Sequence, residues 1–277
     1  MNMNQDAKRQ LPDLRDSYEL TAEQITDYQR DGHILLRQAA ASNEIAAYRP
    51  LIDGFVQEHA KQYAPIDKRD TYGKAFIQVG NLWRRSEELR RFVLARRFAK
   101  LAADLMGVDG VRIYQDQALF KEPGGGHTPW HQDQTYWPLE TPHTITMWMP
   151  LTDIPDSVGS MTFVPGSHLK GYMSRMAISD ESHKTLGEYI EKKAMRKISY
   201  GAMKAGDATF HAGWTLHCAP GNPTNAMREI MTVIYIADGS VVAEPDSNAR
   251  RNELKIYPNL KAGDVFDHEL TPLVFKR

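Results

Sequence analysis

From residue 111 onward the chain stops reading as helices. It becomes a series of short β-rich runs separated by glycine and proline, and that change limits the fold more than any other feature. Residues 111–120, 144–149, 160–164, 208–211, 215–218 and 229–236 are rich in β-branched, aromatic and other apolar residues, and 144–149 alternates. Gly124, Gly125 and Gly126, and then Pro165 with Gly166, punctuate them. Helical patterns are concentrated before residue 110. Thr21 and Gln24 have capping-box spacing, for a helix that runs to Asp31 and stops at Gly32. A strand is expected over 33–37. Ser42 is expected to cap a second helix with Ile45, Tyr48, Ile52, Phe55 and Val56 on its apolar face, Pro50 marking a kink or an early break. Residues 76–79 read as a strand. Ser86 is expected to cap a third helix that carries Leu89, Phe92, Val93, Leu101, Leu105 and Met106 and ends before Gly107. Helices first, then many short strands, predict a closed or sandwiched all-β core with helices outside it.

Composition removes several function classes. With 34 basic and 35 acidic residues the net charge is −1, so no basic excess points to nucleic acid or to an anionic membrane surface. No run approaches the ~20 apolar residues of a membrane helix. The polar residues 1–15 lack the apolar core of a signal peptide and read as a flexible arm or an early capping segment. Cys218 is the single cysteine, which excludes an intrachain disulfide and suits the cytoplasm. The arginines at 84, 85, 90, 91, 96 and 97 read as a solvated helix face pairing with Glu87 and Glu88 rather than as a partner site. At 277 residues one domain is expected. Its parts are a mostly helical 1–110, a β core over 111–240 with a partly helical insertion near 172–200, and an extension over 241–277.

The chemistry concentrates in two stretches. Residues 127–137 place His131 two residues before Asp133, and on an extended strand positions i and i+2 share a face. Pro129 and the upstream glycines oppose a helix, which counts against a helical zinc pair of His127 and His131. Residues 206–222 carry His211 and His217, and Arg228 follows. Two imidazoles and one carboxylate on one face of an iron leave positions open for other ligands, the arrangement of non-heme Fe(II) oxygenases.

His131-Gln-Asp133, Val164-Pro-Gly-Ser-His168, Gly206-Asp207, His217 and Arg228, in this order and spacing, resemble the phytanoyl-CoA dioxygenase family of Fe(II)/2-oxoglutarate-dependent oxygenases. The likeness runs from about residue 25 to 235. It implies a mainly β fold with flanking helices, built on a double-stranded β-helix (a cupin-like jelly roll). It implies Fe(II) on His131, Asp133 and His217, with His211 beside the site rather than in it. It implies 2-oxoglutarate on Arg228, whose planar guanidinium can make two parallel hydrogen bonds to a carboxylate. Gln117, Thr128, Gln132, Trp148 and Thr162 are further expected cosubstrate contacts. Ala219 departs from relatives that carry a serine two residues after the distal histidine. The implied reaction consumes O2 and 2-oxoglutarate, releases succinate and CO2, hydroxylates a small molecule and is stimulated by ascorbate. The substrate is open; a small polar metabolite such as an aminoalkylphosphonate, or a natural-product intermediate, is a candidate. Tyr136, Trp137 and Trp214 are expected to wall the pocket, and Arg112, Lys121 and Lys204 are candidates for meeting an anion. His168, Asp207 and Cys218 read as structural. A cupin-like metalloenzyme that does not use 2-oxoglutarate and a non-enzymatic jelly-roll binder are the rival functions.

Overall fold

The computed structural model describes residues 11–277. The expectation for residues 1–15 lies outside it except at 11–15, where Leu11 and Leu14 are buried and Pro12 accepts a hydrogen bond from the Tyr48 hydroxyl at 2.8 Å. The helices are α1 (Ala22–Asp31), α2 (Ser42–Ala60), α3 (Thr71–Ala75), α4 (Glu87–Val93), α5 (Arg96–Met106), α6 (Asp180–Lys192) and α7 (Asn248–Leu254). The strands are β1 (His33–Leu36), β2 (Ile77–Gly80), β3 (Gly110–Lys121), β4 (Thr128–His131), β5 (Thr144–Pro150), β6 (Thr162–Phe163), β7 (Ile198–Ser199), β8 (Ala208–Ala212), β9 (His217–Ala219), β10 (Arg228–Ala237) and β11 (Leu273–Lys276).

Thr21 caps α1, with Gln24 returning the bond, and Gly32 ends it at φ +77. A Cβ on Gly32 would stand 2.2 Å from His168 Nδ1, so the backbone needs glycine both for its φ and for the approach of that ring. Three helix expectations are corrected. Ser42 is the first helical residue of α2 rather than its cap; Ala41 holds the cap position, and Glu44 accepts its N–H at 2.7 Å. Pro50 does not break α2, which runs on to Ala60. The single helix expected after Ser86 is two, because Leu94 and Ala95 leave the helical path between α4 and α5. The arginine row is not one solvated face. Arg97 is buried, makes two bonds to Glu44 at 2.7 and 3.0 Å and ties α5 to α2.

The strands form two antiparallel sheets, sandwiched and not closed. The larger runs β1-β8-β5-β10-β3-β11, with β2 also on β3; the smaller runs β4-β9-β6-β7. Alternation along β10 decides what faces the gap between them. Met231, Val233 and Tyr235 pack against the helices, while Arg228, Thr232 and Ile234 line a cavity on the opposite face. In β5, Met147 and Met149 face the helices, and Thr146 and Trp148 the cavity. Strand β3 changes parity. Its register on β10 shifts between Ile234, opposite Gln115, and Tyr235, opposite Ile113, so Tyr114 is an extra residue. Beyond this bulge Gln115, Gln117 and Leu119 line the cavity, whereas Val111 and Ile113 pack on the helix side. Strand β6 is shorter than expected, at two residues. Helix α6 lies within 172–200 and packs on β4, where the Ser182 hydroxyl donates to the Trp130 carbonyl at 3.1 Å.

Candidate active site

His131 is the last residue of β4 and His217 the first of β9, and the two are register partners. Asp133 is not on the strand, contrary to expectation: it opens a single 3-10 turn after the extended Gln132. The effect is the one alternation would have had. His131 Nε2 lies 3.4 Å and His217 Nε2 3.5 Å from Asp133 Oδ1, and the three ligating atoms lie within 4.8 Å of one another. Each imidazole is set from behind. His131 Nδ1 donates to the Pro129 carbonyl at 2.7 Å and His217 Nδ1 to the Thr215 carbonyl at 2.9 Å. With the proton on Nδ1, each Nε2 presents a lone pair to the cluster. Burial and His131 together hold the His217 pKa well below its ordinary value, so it stays neutral. Burial opposes the charge on Asp133, yet its pKa is held well below the usual range, and of the imidazoles around it His211 is the one whose Nε2 donates to the carboxylate. Three acceptors converge, which calls for a cation among them. The other carboxylate oxygen, Oδ2, accepts from Thr146 Oγ1 at 2.9 Å and from His211 Nε2 at 3.1 Å. His211 therefore sits behind the carboxylate.

The cavity that contains this cluster has a volume of about 270 Å³ and lies between the sheets. At its β10 end is Arg228, buried, with Nε and Nη1 unpartnered among the described residues. Neither neighbouring carboxylate answers it: Glu229 is taken by Arg49 at 2.6 and 2.7 Å, and Glu122 pairs with Arg69. Burial lowers the Arg228 pKa to about 10. Lys121 is its register partner on β3, fully buried, donating to the Gly126 carbonyl and lying 3.4 Å from Thr128 Oγ1. Burial, and then Arg228, push the Lys121 pKa down to about 6. A buried guanidinium beside a buried amine, with no carboxylate pairing either among the described residues, makes a place for an anion. The sequence offered Lys121 only as a candidate for meeting an anionic substrate, alongside Arg112 and Lys204, and did not set it beside Arg228.

Of the other expected contacts, Gln117, Thr128 and Trp148 line the cavity, Trp148 with Arg228 at 5.7 Å from its ring. Gln132 and Thr162 do not. The Gln132 amide is consumed by the Gly171 and Trp214 carbonyls (2.8 and 2.7 Å) and by the Met173 N–H (2.9 Å), which clamps the start of 172–200. Thr162 sits opposite Cys218 and lines a separate surface cavity with His127 and His183. Tyr136 and Trp137 wall the main cavity; Trp214 instead packs on Tyr172 at 5.2 Å. Arg112 pairs with Asp238 and Asp267, and Lys204 with Asp153, so neither is free for an anion. His168 bonds the Gln29 carbonyl at 3.2 Å, and Asp207 holds Arg37 and the Gln38 and Lys204 amides. Burial raises the Cys218 thiol to about 12, which leaves it inert.

Fold and site together define a two-sheet jelly roll with a two-histidine, one-carboxylate centre beside a buried arginine. A family model described as phytanoyl-CoA dioxygenase matches residues 28–230, and the chain belongs to that family. It is 29% identical to the zebrafish (Danio rerio) phytanoyl-CoA dioxygenase domain-containing protein 1 over 153 residues, 53% of each chain. It is 27% identical to the ectoine dioxygenase of Bordetella parapertussis over 191 residues, 66% of this chain and 58% of that one. It thus spans little more than half the length of these curated relatives. Among solved structures it is similar to the non-heme alpha-ketoglutarate-dependent carbocyclase SnoK of nogalamycin biosynthesis. The TM-score is 0.74 at 27% identity, over 92% of this chain and 96% of that one. No helix among the described residues is long and apolar enough to cross a membrane.

Proposed function

We propose that this protein is an Fe(II)- and 2-oxoglutarate-dependent dioxygenase that hydroxylates a C–H bond of a small molecule. The observation that carries the reading is one cavity with an acceptor-only triad in its wall and an uncompensated guanidinium at its β10 end. His131, Asp133 and His217 would hold the metal and Arg228 the distal carboxylate of 2-oxoglutarate, with Lys121 adding positive charge behind Thr128. Iron bound there would supply O2 activation and the oxidising power for C–H cleavage, at the expense of decarboxylating 2-oxoglutarate to succinate and CO2. The chain's own residues orient and seclude. The Pro129 and Thr215 carbonyls fix the imidazole tautomers, and Thr146 and His211 hold Asp133 with one oxygen toward the histidines. Leu119, Met161 and Ile178 keep part of the wall apolar. The volume, about 270 Å³, falls just below the ~300–1,000 Å³ usual for a ligand pocket. Shared with the cosubstrate, it suits a small substrate. The SnoK and ectoine dioxygenase likenesses support this chemistry.

Succinate release from 2-oxoglutarate, measured with Fe(II), ascorbate, O2 and a substrate panel, tests the reading. Turnover that survives Arg228→Ala without succinate would favour the metalloenzyme that does not use 2-oxoglutarate. A chain that takes up no Fe(II) under argon would favour the binder.

A further inference from the structure

The substrate side of the cavity carries a charge that the proposed chemistry does not use. Helix α7 lies outside the residues that the family model matches, yet it closes this wall. Ser247 caps it, accepting the Arg250 N–H at 3.2 Å. Arg250 is buried and anchors the helix to the turn that bears Asp133, donating to the Thr135 and Gln134 carbonyls at 3.3 and 3.1 Å. One turn on, on the same helix face, Glu253 lines the cavity. The Tyr114 hydroxyl donates to its Oε1 at 3.1 Å, and Tyr114 is the bulge residue of β3, packed against Trp137, Tyr257 and Phe266. Among the described residues no lysine or arginine pairs with Glu253, whereas Glu44, Glu122 and Glu229 each have an arginine. Outside the triad and its backing His211, Arg228 and Glu253 are the charged residues lining the cavity, and Arg228 is committed to the cosubstrate. Tyr72, Tyr136 and Trp137 supply aromatic rings to the same wall.

We infer that the substrate is a small organic cation whose ammonium group is received by Glu253 among the rings of Tyr72, Tyr136 and Trp137. The inference rests on the oxygenase reading and narrows it to a substrate class. A carboxylate supplies the counter-charge, and aromatic faces attract a cation within ~6 Å of the ring centroid. Among the described residues, an anionic head finds no free cation on this wall. Of the two charged ends of an aminoalkylphosphonate, the amine has a partner here and the phosphonate has none.

The test is competitive binding to the full chain, loaded with Fe(II) and 2-oxoglutarate under argon and followed by ligand-observed NMR. The probes are butylammonium, 2-phenylethylammonium and tryptammonium, each against its matching alcohol. At least one ammonium should bind about ten-fold or more tightly than its alcohol, and Glu253→Gln should erase that preference. Because Arg250 rather than Glu253 holds α7, the variant should keep its melting temperature and its 2-oxoglutarate affinity. If no ammonium outcompetes its alcohol, or if the preference survives Glu253→Gln, the inference is overturned. Loss of the oxygenase reading would show separately, as absent calorimetric binding of 2-oxoglutarate to the Fe(II)-loaded chain.

Discussion

Replacing Arg228 by methionine should make the ligand-free protein more stable and at the same time deprive it of its cosubstrate. The guanidinium is 5% exposed, without a carboxylate partner, and its pKa lies at about 10 against 12.5 in water. At 1.36 kcal/mol per pH unit, burying that charge costs the folded chain about 3 kcal/mol. The sign follows from the direction. A cation whose folded pKa is depressed destabilises the fold wherever the group is charged, here at all pH below about 10, and the penalty is relieved only above that. Methionine keeps most of the apolar stem and removes the charge, so a net gain of about 1–3 kcal/mol is expected, or roughly 2–10 °C in Tm. For the wild type, 2-oxoglutarate at a hundred times its Kd should contribute about 2.7 kcal/mol, a rise of several degrees. In Arg228→Met that rise should vanish. Scanning calorimetry under argon with Fe(II), with and without 2-oxoglutarate, reads both effects. A variant that melts below the wild type and is still stabilised by 2-oxoglutarate would refute the reasoning, since Arg228 would then be a structural residue.

Three further outcomes follow from groups around the same core. His211→Leu leaves Asp133 Oδ2 with Thr146 alone and should weaken Fe(II) binding by about 10–100-fold, while His211→Gln, whose amide can replace Nε2, should recover most of it; anaerobic metal titration decides. Lys121, lowered to about 6 by burial and Arg228, is mostly neutral at pH 7 in the ligand-free chain. Seating a dianion beside Arg228 should draw close to one proton onto it, visible as buffer-dependent binding enthalpy and absent in Lys121→Met. Burial raises Asp116 to about 7 from 3.8, so the folded chain keeps a proton that the unfolded chain loses, and stability falls as pH rises through that interval. The stability advantage of Asp116→Asn in urea should therefore widen by about 2.6 kcal/mol between pH 5 and pH 8; a constant difference would show that Asp116 is ionised throughout.

What could be read from the sequence and what could not divide along a physical line. His131, Asp133, His217 and Arg228 could be singled out in the sequence because ligand and carboxylate chemistry tolerates few residue types, and because each sits in a short segment with its own turn signals; the structure adds that they converge on one cavity. Thr21 and Gly32 were legible for the same reason: a cap is satisfied within four residues. Everything decided by a distant partner was not. Ala41 serves at a cap position because Glu44 answers its N–H and in turn receives Arg97 from α5. Gln132 has the residue type of a cosubstrate contact, yet its amide is taken by the Gly171 and Trp214 carbonyls. The bulge at Tyr114 left no local mark, although it decides that Gln115 and Gln117, rather than Asp116, face the cavity. It also frees the Tyr114 hydroxyl to hold Glu253 from a helix about 140 residues away. The half of the pocket that carries the proposed metal and cosubstrate residues is thus written in contiguous motifs. The proposed substrate wall is assembled from α3, β2, β3, residues 136–137, residue 178 and α7, segments that share no sequence pattern.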